Sequence, residues 1–67
     1  MVVYVVVLGE RYEGSRIVSV HSEKATAVAA ALACETCYEG GWVEAVEDDS
    51  WENGCDYVLV RTFEVQP

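Results

Sequence analysis

Positive charge is what this chain has least of: four Lys and Arg stand against twelve Asp and Glu, a formal net charge of −8 over 67 residues. Direct nucleic-acid binding is excluded on that count, because neutralising phosphates takes Lys and Arg. Histidine occurs once, and His21 followed by Ser22 with no third partner does not make a nucleophilic triad. Long apolar runs are also missing. The stretch Val2 to Leu8 is too short to span a bilayer and lacks the positive flank of a signal peptide, so it predicts a strand in a soluble, cytoplasmic protein with no membrane partner. A phosphate-cradling glycine loop is wanting too, since Gly40-Gly41 follows a helical stretch whereas such loops precede one. The residues present are 52% hydrophobic, which excludes a disordered acidic tail. A chain of this length buries only about 60% of its unfolded surface, enough for one domain with a thin core and too little for a deep, dry catalytic pocket.

Cysteine is present in an odd number, three, which argues against an extracellular disulfide framework. Cys34-Glu35-Thr36-Cys37, with Cys55 and His21, supplies the ligand types of a structural zinc site. The spacing supports only half of one, because closed sites contribute two tight pairs and here Cys55 and His21 stand alone. A redox dithiol needs a helix N-terminus to lower its pKa, and this pair sits at a C-terminal end beside Glu35 and Glu39. The expectation is three structural thiols, no metal and no cofactor. Glu47 and Asp48 are a carboxylate pair without the cleft that acid–base catalysis requires, so no enzyme is expected.

The pattern of elements is compact. Val2 to Leu8 suits a central strand buried on both faces, Gly9 to Ser15 a hairpin loop, and Arg16 to His21 an alternating second strand. Ser22 reads as an N-cap with Glu23 in the first turn, and a helix is predicted from about Glu23 to Glu35 with Ala25, Val28, Ala29 and Leu32 on its inner face. Gly40-Gly41 ends the helical region. Trp42 to Glu47 predicts a third strand, Asp48 to Gly54 a turn, and Cys55 to Val65 a fourth strand with Tyr57, Leu59, Phe63 and Val65 on one side and Val58, Val60 and Thr62 on the other. The fold class is α+β: a four-stranded, mainly antiparallel sheet in the sequence order ββαββ, with the helix on one face. The other face exposes some of Val2, Tyr4, Val6, Leu8, Val18, Val58 and Val60, more than a monomer tolerates. Either a homodimer forms through it, or long loops carrying Trp42 and Trp51 close it.

Charge is segregated along the chain. Up to Cys34, Glu10, Glu13 and Glu23 cancel Arg11, Arg16 and Lys24, so all the net charge lies from Glu35 onward, densest from Glu44 to Asp56. Like charges gathered so closely repel in the folded state, a cost that an oppositely charged partner recovers. Carboxylates alternate along a strand at roughly 6.7 Å, and phosphates along each DNA strand at about 3.4 Å, so such an array imitates a phosphate row. The candidate partner-binding residues are Glu44, Glu47, Asp48, Asp49, Trp51, Glu52 and Asp56. Trp51 has two readings of equal standing, an exposed anchor or a lid folded onto Trp42 or Tyr57.

In its length, its −8 charge, the Glu44 to Asp56 run and its sheet-and-helix order, the chain resembles the small acidic proteins that bacteriophages and other mobile elements encode against host defences, anti-CRISPR proteins and DNA-mimic inhibitors among them. The resemblance is one of overall character and carries no residue-by-residue signature. It implies a non-enzymatic inhibitor that, in the bacterial cytoplasm, occupies the DNA-binding surface of a basic nucleic-acid-binding protein or complex, such as a CRISPR surveillance complex. The alternative is a homodimerising or antitoxin-like regulatory module that acts through the apolar sheet face.

Overall fold

The structure, a computed structural model, describes residues 1–66. Five strands and one helix follow in the order β1 (Val2–Glu10), β2 (Gly14–His21), α1 (Lys24–Leu32), β3 (Val43–Glu44), β4 (Ser50–Asn53) and β5 (Asp56–Glu64). The strands form one sheet in the spatial order β2-β1-β5-β4-β3, with every neighbouring pair antiparallel. The expected four-stranded ββαββ sheet is thereby corrected to five strands. The predicted turn over Asp48 to Gly54 contains β4, and the predicted strand over Trp42 to Glu47 shrinks to Val43–Glu44. The reason is local. A polar run reads as a turn, but Trp51 has a large apolar surface to bury, and it does so by pairing across from Val58 on the covered side of the sheet.

The helix sits where the chain must cross from one sheet edge to the other. β2 is one edge and β3 the opposite one, four inter-strand steps or about 19 Å away. α1 and the stretch 33–42 make that crossing over one face. Beneath α1 lie Val6, Val58 and Val60, buried together with Ala27 and Ala31, and ringed by Tyr4, Leu8, Val28, Cys34, Trp42 and Trp51. Val6, Val58, Ala27 and Ala31 are fully inaccessible.

Three expectations change here. The inner face of α1 is Ala27 and Ala31, with Val28 and Ala30 beside them, and Leu32 is 47% exposed. Six alanines leave helix faces of nearly equal hydrophobicity, so close approach decides the phase: methyl side chains let the backbone settle onto Val6 and Val58, and Leu32 would hold it away. The N-cap is Glu23 without a side-chain cap bond, one residue later than Ser22, and the helix ends at Leu32 with Ala33 as C-cap, well before Gly40. The sheet faces are also exchanged. Tyr4, Val6, Leu8, Val58 and Val60 lie under the helix, and the bare face carries Val3, Val5, Val7, Tyr57, Leu59 and Phe63.

β1 is a central strand, and Val5 and Val6 are buried on its opposite faces. Its partner β2 carries a bulge: Val6 faces Ser19 and Val7 faces Ile17, so Val18 is the extra residue and the alternation expected from Arg16 to His21 breaks there. On the bare face, Gly9 is required by close approach. A side chain there would run into the hydroxyl end of Tyr57 and lie 2.8 Å from the Ser15 Cβ. The β4–β5 hairpin turns through Gly54 and Cys55, and Gly54 takes φ 60 at the first loop position, as two-residue hairpins of the mirror-image type demand. No helix among the described residues is long and apolar enough to cross a membrane.

The helix contact yields a direct test. Ala31→Leu overpacks the interface and is expected to cost about 1–3 kcal/mol. Leu32→Ala, by contrast, removes a half-exposed side chain and is expected to cost less than half of that. Denaturant unfolding of both variants measures the difference, and the reverse order would move the helix phase to the one the sequence suggests.

Candidate functional site: an acidic groove beside the helix N-terminus

The β3–β4 connection, residues 45–49, is a tight acidic loop. Its neck is closed by the Ala45 N–H donating to the Ser50 carbonyl at 3.0 Å, and Ser50 Oγ donates to the Glu47 carbonyl at 2.7 Å. Asp49 takes φ 55, in the left-handed region that Asp tolerates better than most side chains. That conformation turns the Asp49 carbonyl to the Val60 N–H, 2.9 Å away, and sets its carboxylate 3.0 Å from Lys24 Nζ. Lys24 occupies the first turn of α1, where the helix dipole disfavours a cation, and Asp49 supplies the negative charge that this end prefers. The hydrogen bond and charge of Asp49 raise the Lys24 pKa above its ordinary value.

Around this contact lies an open groove of about 320 Å³ bordered by Lys24, Glu44, Glu47, Asp48, Asp49 and Trp51. Glu44 stands across from Trp51 in the β3–β4 ladder. Trp51 is half-buried, one part against the core and another lining the groove, so it combines the two readings that the sequence left open. Five of the seven residues singled out in the sequence are therefore brought together. The other two are elsewhere. Glu52 points to the bare side and pairs with Arg11 at 2.9 Å. Asp56 is buried and accepts hydrogen bonds from Thr36 Oγ1 at 2.6 Å, the Cys37 N–H at 3.3 Å and the Cys37 thiol at 3.7 Å. It straps the crossing segment to β5 and has no surface to offer a partner. Sequence reasoning passed over Lys24 and the fully exposed Val46 at the loop tip. Val46 was legible as an apolar residue among acids; Lys24 becomes visible only through tertiary contact.

A larger concavity, about 440 Å³, opens between the β1–β2 hairpin and Glu35–Cys37, with Glu10, Glu13 and Glu35 facing Arg16. Arg16 forms no ion pair with these acids among the described residues, and the lining thiol, Cys37, is not an activated nucleophile. The Cys37 thiol is pushed up by desolvation, by the Asp56 charge and by its hydrogen bond to Asp56. Burial pushes Cys34 up against a smaller opposing effect of Arg16, and Tyr38 is raised chiefly by its hydrogen bond to Cys55. All three thiols are free. His21 shares a hydrogen bond with Ser19 Oγ at 2.8 Å. Among the described residues no group of three or more His, Cys, Asp or Glu is placed to hold a metal ion.

Comparison with protein-family models, with curated proteins and with solved structures finds no match, so no role is carried over from a relative.

The Asp56 cluster generates a measurable expectation. Because the carboxylate both repels the Cys37 thiolate and accepts the thiol hydrogen, Asp56→Asn is expected to lower the pH midpoint of Cys37 alkylation. In the unaltered protein that midpoint lies above the ordinary thiol value, the folded state holds the proton more tightly, and the stability this contributes is lost as pH rises from the ordinary value to the midpoint. Mass-spectrometric alkylation rates across pH measure the midpoint, and an unchanged midpoint in Asp56→Asn would remove Asp56 from the environment of that thiol.

Proposed function

We propose that this chain is a non-enzymatic acidic inhibitor that binds a basic nucleic-acid-binding protein or complex in the bacterial cytoplasm and blocks its DNA-binding surface by charge mimicry. The observation that supports this reading is the convergence of Glu44, Glu47, Asp48 and Asp49 on one solvent-open groove floored by Trp51, with Lys24 as the one cation lining it. Four carboxylates against one ammonium leave a local excess of negative charge. A tight loop closed at its neck presents them together, as a phosphate row meets Lys and Arg. The DNA-binding channel of a CRISPR surveillance complex is one partner of the required chemistry.

Distributed surface charge acts through steering more than through tight contacts, so the effect of the groove falls mainly on the association rate and weakens with salt. The half-buried Trp51 supplies the apolar contact that slows dissociation. Each exposed ion pair contributes only about 0.2–1 kcal/mol, so single reversals are small and a triple one is not.

The test compares two triple reversals of equal charge change. Glu44→Lys/Glu47→Lys/Asp48→Lys is expected to slow association with the basic partner at least tenfold and to abolish competition with DNA. Glu10→Lys/Glu13→Lys/Glu35→Lys, at the other end, is expected to retain most of both. Equal effects from the two sets would assign the binding to net charge, and full DNA competition by a folded groove variant would end the mimicry reading.

A further inference from the structure

On the side of the sheet away from α1 no helix or second layer packs among the described residues; Val5 is buried at its centre by its neighbours, while Val3, Val7 and Leu59 are half-buried and Ile17 and Phe63 are exposed there. Phe63 is 50% and Ile17 67% exposed. The accessible surface of the molecule is 4805 Å², whereas a folded monomer of 7.4 kDa has roughly 4,200 Å². That excess of about 600 Å² is spread over the whole molecule, the exposed Tyr12 and Val46 included, and equals what each copy has to bury to reach the lower bound of about 1,200 Å² for a specific interface.

Charge selects the occupant. Register places Glu52 on β4 and Arg61 on β5 on this face, and the Arg11 that pairs with Glu52 adds a second cation, so the face carries no net negative charge in a chain of −8. Arg61 sits beside Val5 between Leu59 and Phe63, and no carboxylate pairs with it among the described residues. Glu52 lies next to Tyr57, and Arg11 engages its Oε2, leaving the other carboxylate oxygen for a second donor. Tyr57 and Arg61 are equidistant from Leu59 along β5, each roughly 6.7 Å away. A two-fold axis at Leu59, lying between two facing sheets and perpendicular to the strands, therefore sets Arg61 of each copy over Tyr57 of the other, one strand spacing from its Glu52. Facing sheets pack about 10 Å apart, a gap that long side chains bridge.

We propose that the bare face is a homodimer interface in which two copies stack sheet to sheet about Leu59, with Arg61 of each paired to Glu52 of the other. The ordinary rule that a surface cation in an apolar patch seeks a carboxylate is thus met twice by one operator, as an isologous interface requires. The acidic groove borders α1 on the opposite side of the sheet, so the dimer presents two grooves outward. This inference is independent of charge mimicry, since the variants that test it leave the groove intact.

Sedimentation equilibrium of the full chain is expected to show a dimer. Arg61→Glu and Glu52→Arg each place like charges opposite one another and are expected to weaken it at least tenfold. The double variant E52R/R61E is expected to recover to within a few-fold, an outcome that a merely destabilised fold does not produce. Leu59→Asp is expected to be monomeric, with Val20→Lys at the margin of the same face as the second variant should Leu59→Asp fail to fold. A wild-type chain that remains monomeric at millimolar concentration overturns the proposal, whether its face is bare or holds an added fatty acid. A dimer indifferent to Leu59→Asp and Val20→Lys, or unrescued by the double swap, overturns it equally.

Discussion

One nine-residue helix lying on alanines is the constraint from which the rest of this structure follows. Ala27 and Ala31 bring the helix backbone close to Val6 and Val58, and that contact forms the centre of the only buried cluster of apolar residues described. A small helix on five strands leaves much of the sheet without a lid. Its margin is filled from the crossing segment and from β4, by Trp42 and Trp51, and on its other face Val5 is buried by its strand neighbours alone, with no second layer among the described residues. The helix is also short for its task. It begins at one sheet edge and stops at Leu32; Ala33 and Cys34 donate the last helical hydrogen bonds, to the Ala29 and Ala31 carbonyls, and residues 35–42 must finish the crossing without them.

That crossing explains why a chain so rich in acids buries one of them. The segment's polar groups find partners on the β4–β5 hairpin and within the segment: Asp56 takes Thr36 and Cys37, the Asn53 amide donates to the Tyr38 carbonyl at 3.0 Å, and Trp42 Nε1 donates to the Cys34 carbonyl at 2.9 Å. A charged acceptor forms stronger hydrogen bonds than a neutral one, and losing it would leave the part-buried Thr36 and Cys37 donors without their protein partner. The acids of the second half thus divide by role. Asp56 holds the crossing, Glu52 and Asp49 tie β4 and the acidic loop to Arg11 and Lys24, and Glu44, Glu47 and Asp48 border the groove with no cation bridged to them among the described residues.

Much of the fold was legible where one residue pattern had one interpretation. The first hairpin, the existence of α1 and the two-sided register of β5 could all be read, because β-branched runs, a six-alanine stretch and strict alternation each point one way. Failures came where local pattern was degenerate. Ser50-Trp51-Glu52-Asn53 has the polarity of a turn, and the strand exists because Trp51 finds Val58, a contact made only in the assembled sheet. The helix phase was invisible among alanines. The exchange of sheet faces has the same origin, since Val2 to Leu8 is apolar at every position and cannot say which set of valines meets the helix. At the site, charge density pointed to the stretch that forms the groove, but a carboxylate's role depends on its neighbours: Asp56 and Asp49 are the same residue type a few positions apart, one buried and hydrogen-bonded, the other half-buried and salt-bridged.

The two surfaces left over, one acidic and one apolar with no net negative charge, lie on opposite sides of the sheet, and electrostatics gives that arrangement a consequence. Two chains of −8 repel at long range, and salt screens exposed charges over about 8 Å at physiological ionic strength. An apolar association between such chains is favoured where the approaching surfaces carry no excess of negative charge and the acids stay more than a screening length apart. The bare face meets the first condition through Arg11 and Arg61 beside Glu52, and the sheet with its helix, standing between groove and face, supplies distance for the second. Concentrating the acids on the covered side therefore does more than create a negative surface: it leaves the opposite side free to bury apolar area. The same segregation would give the two surfaces opposite salt dependence, because screening weakens attraction between the groove and a basic partner while it relieves repulsion between two copies of the chain.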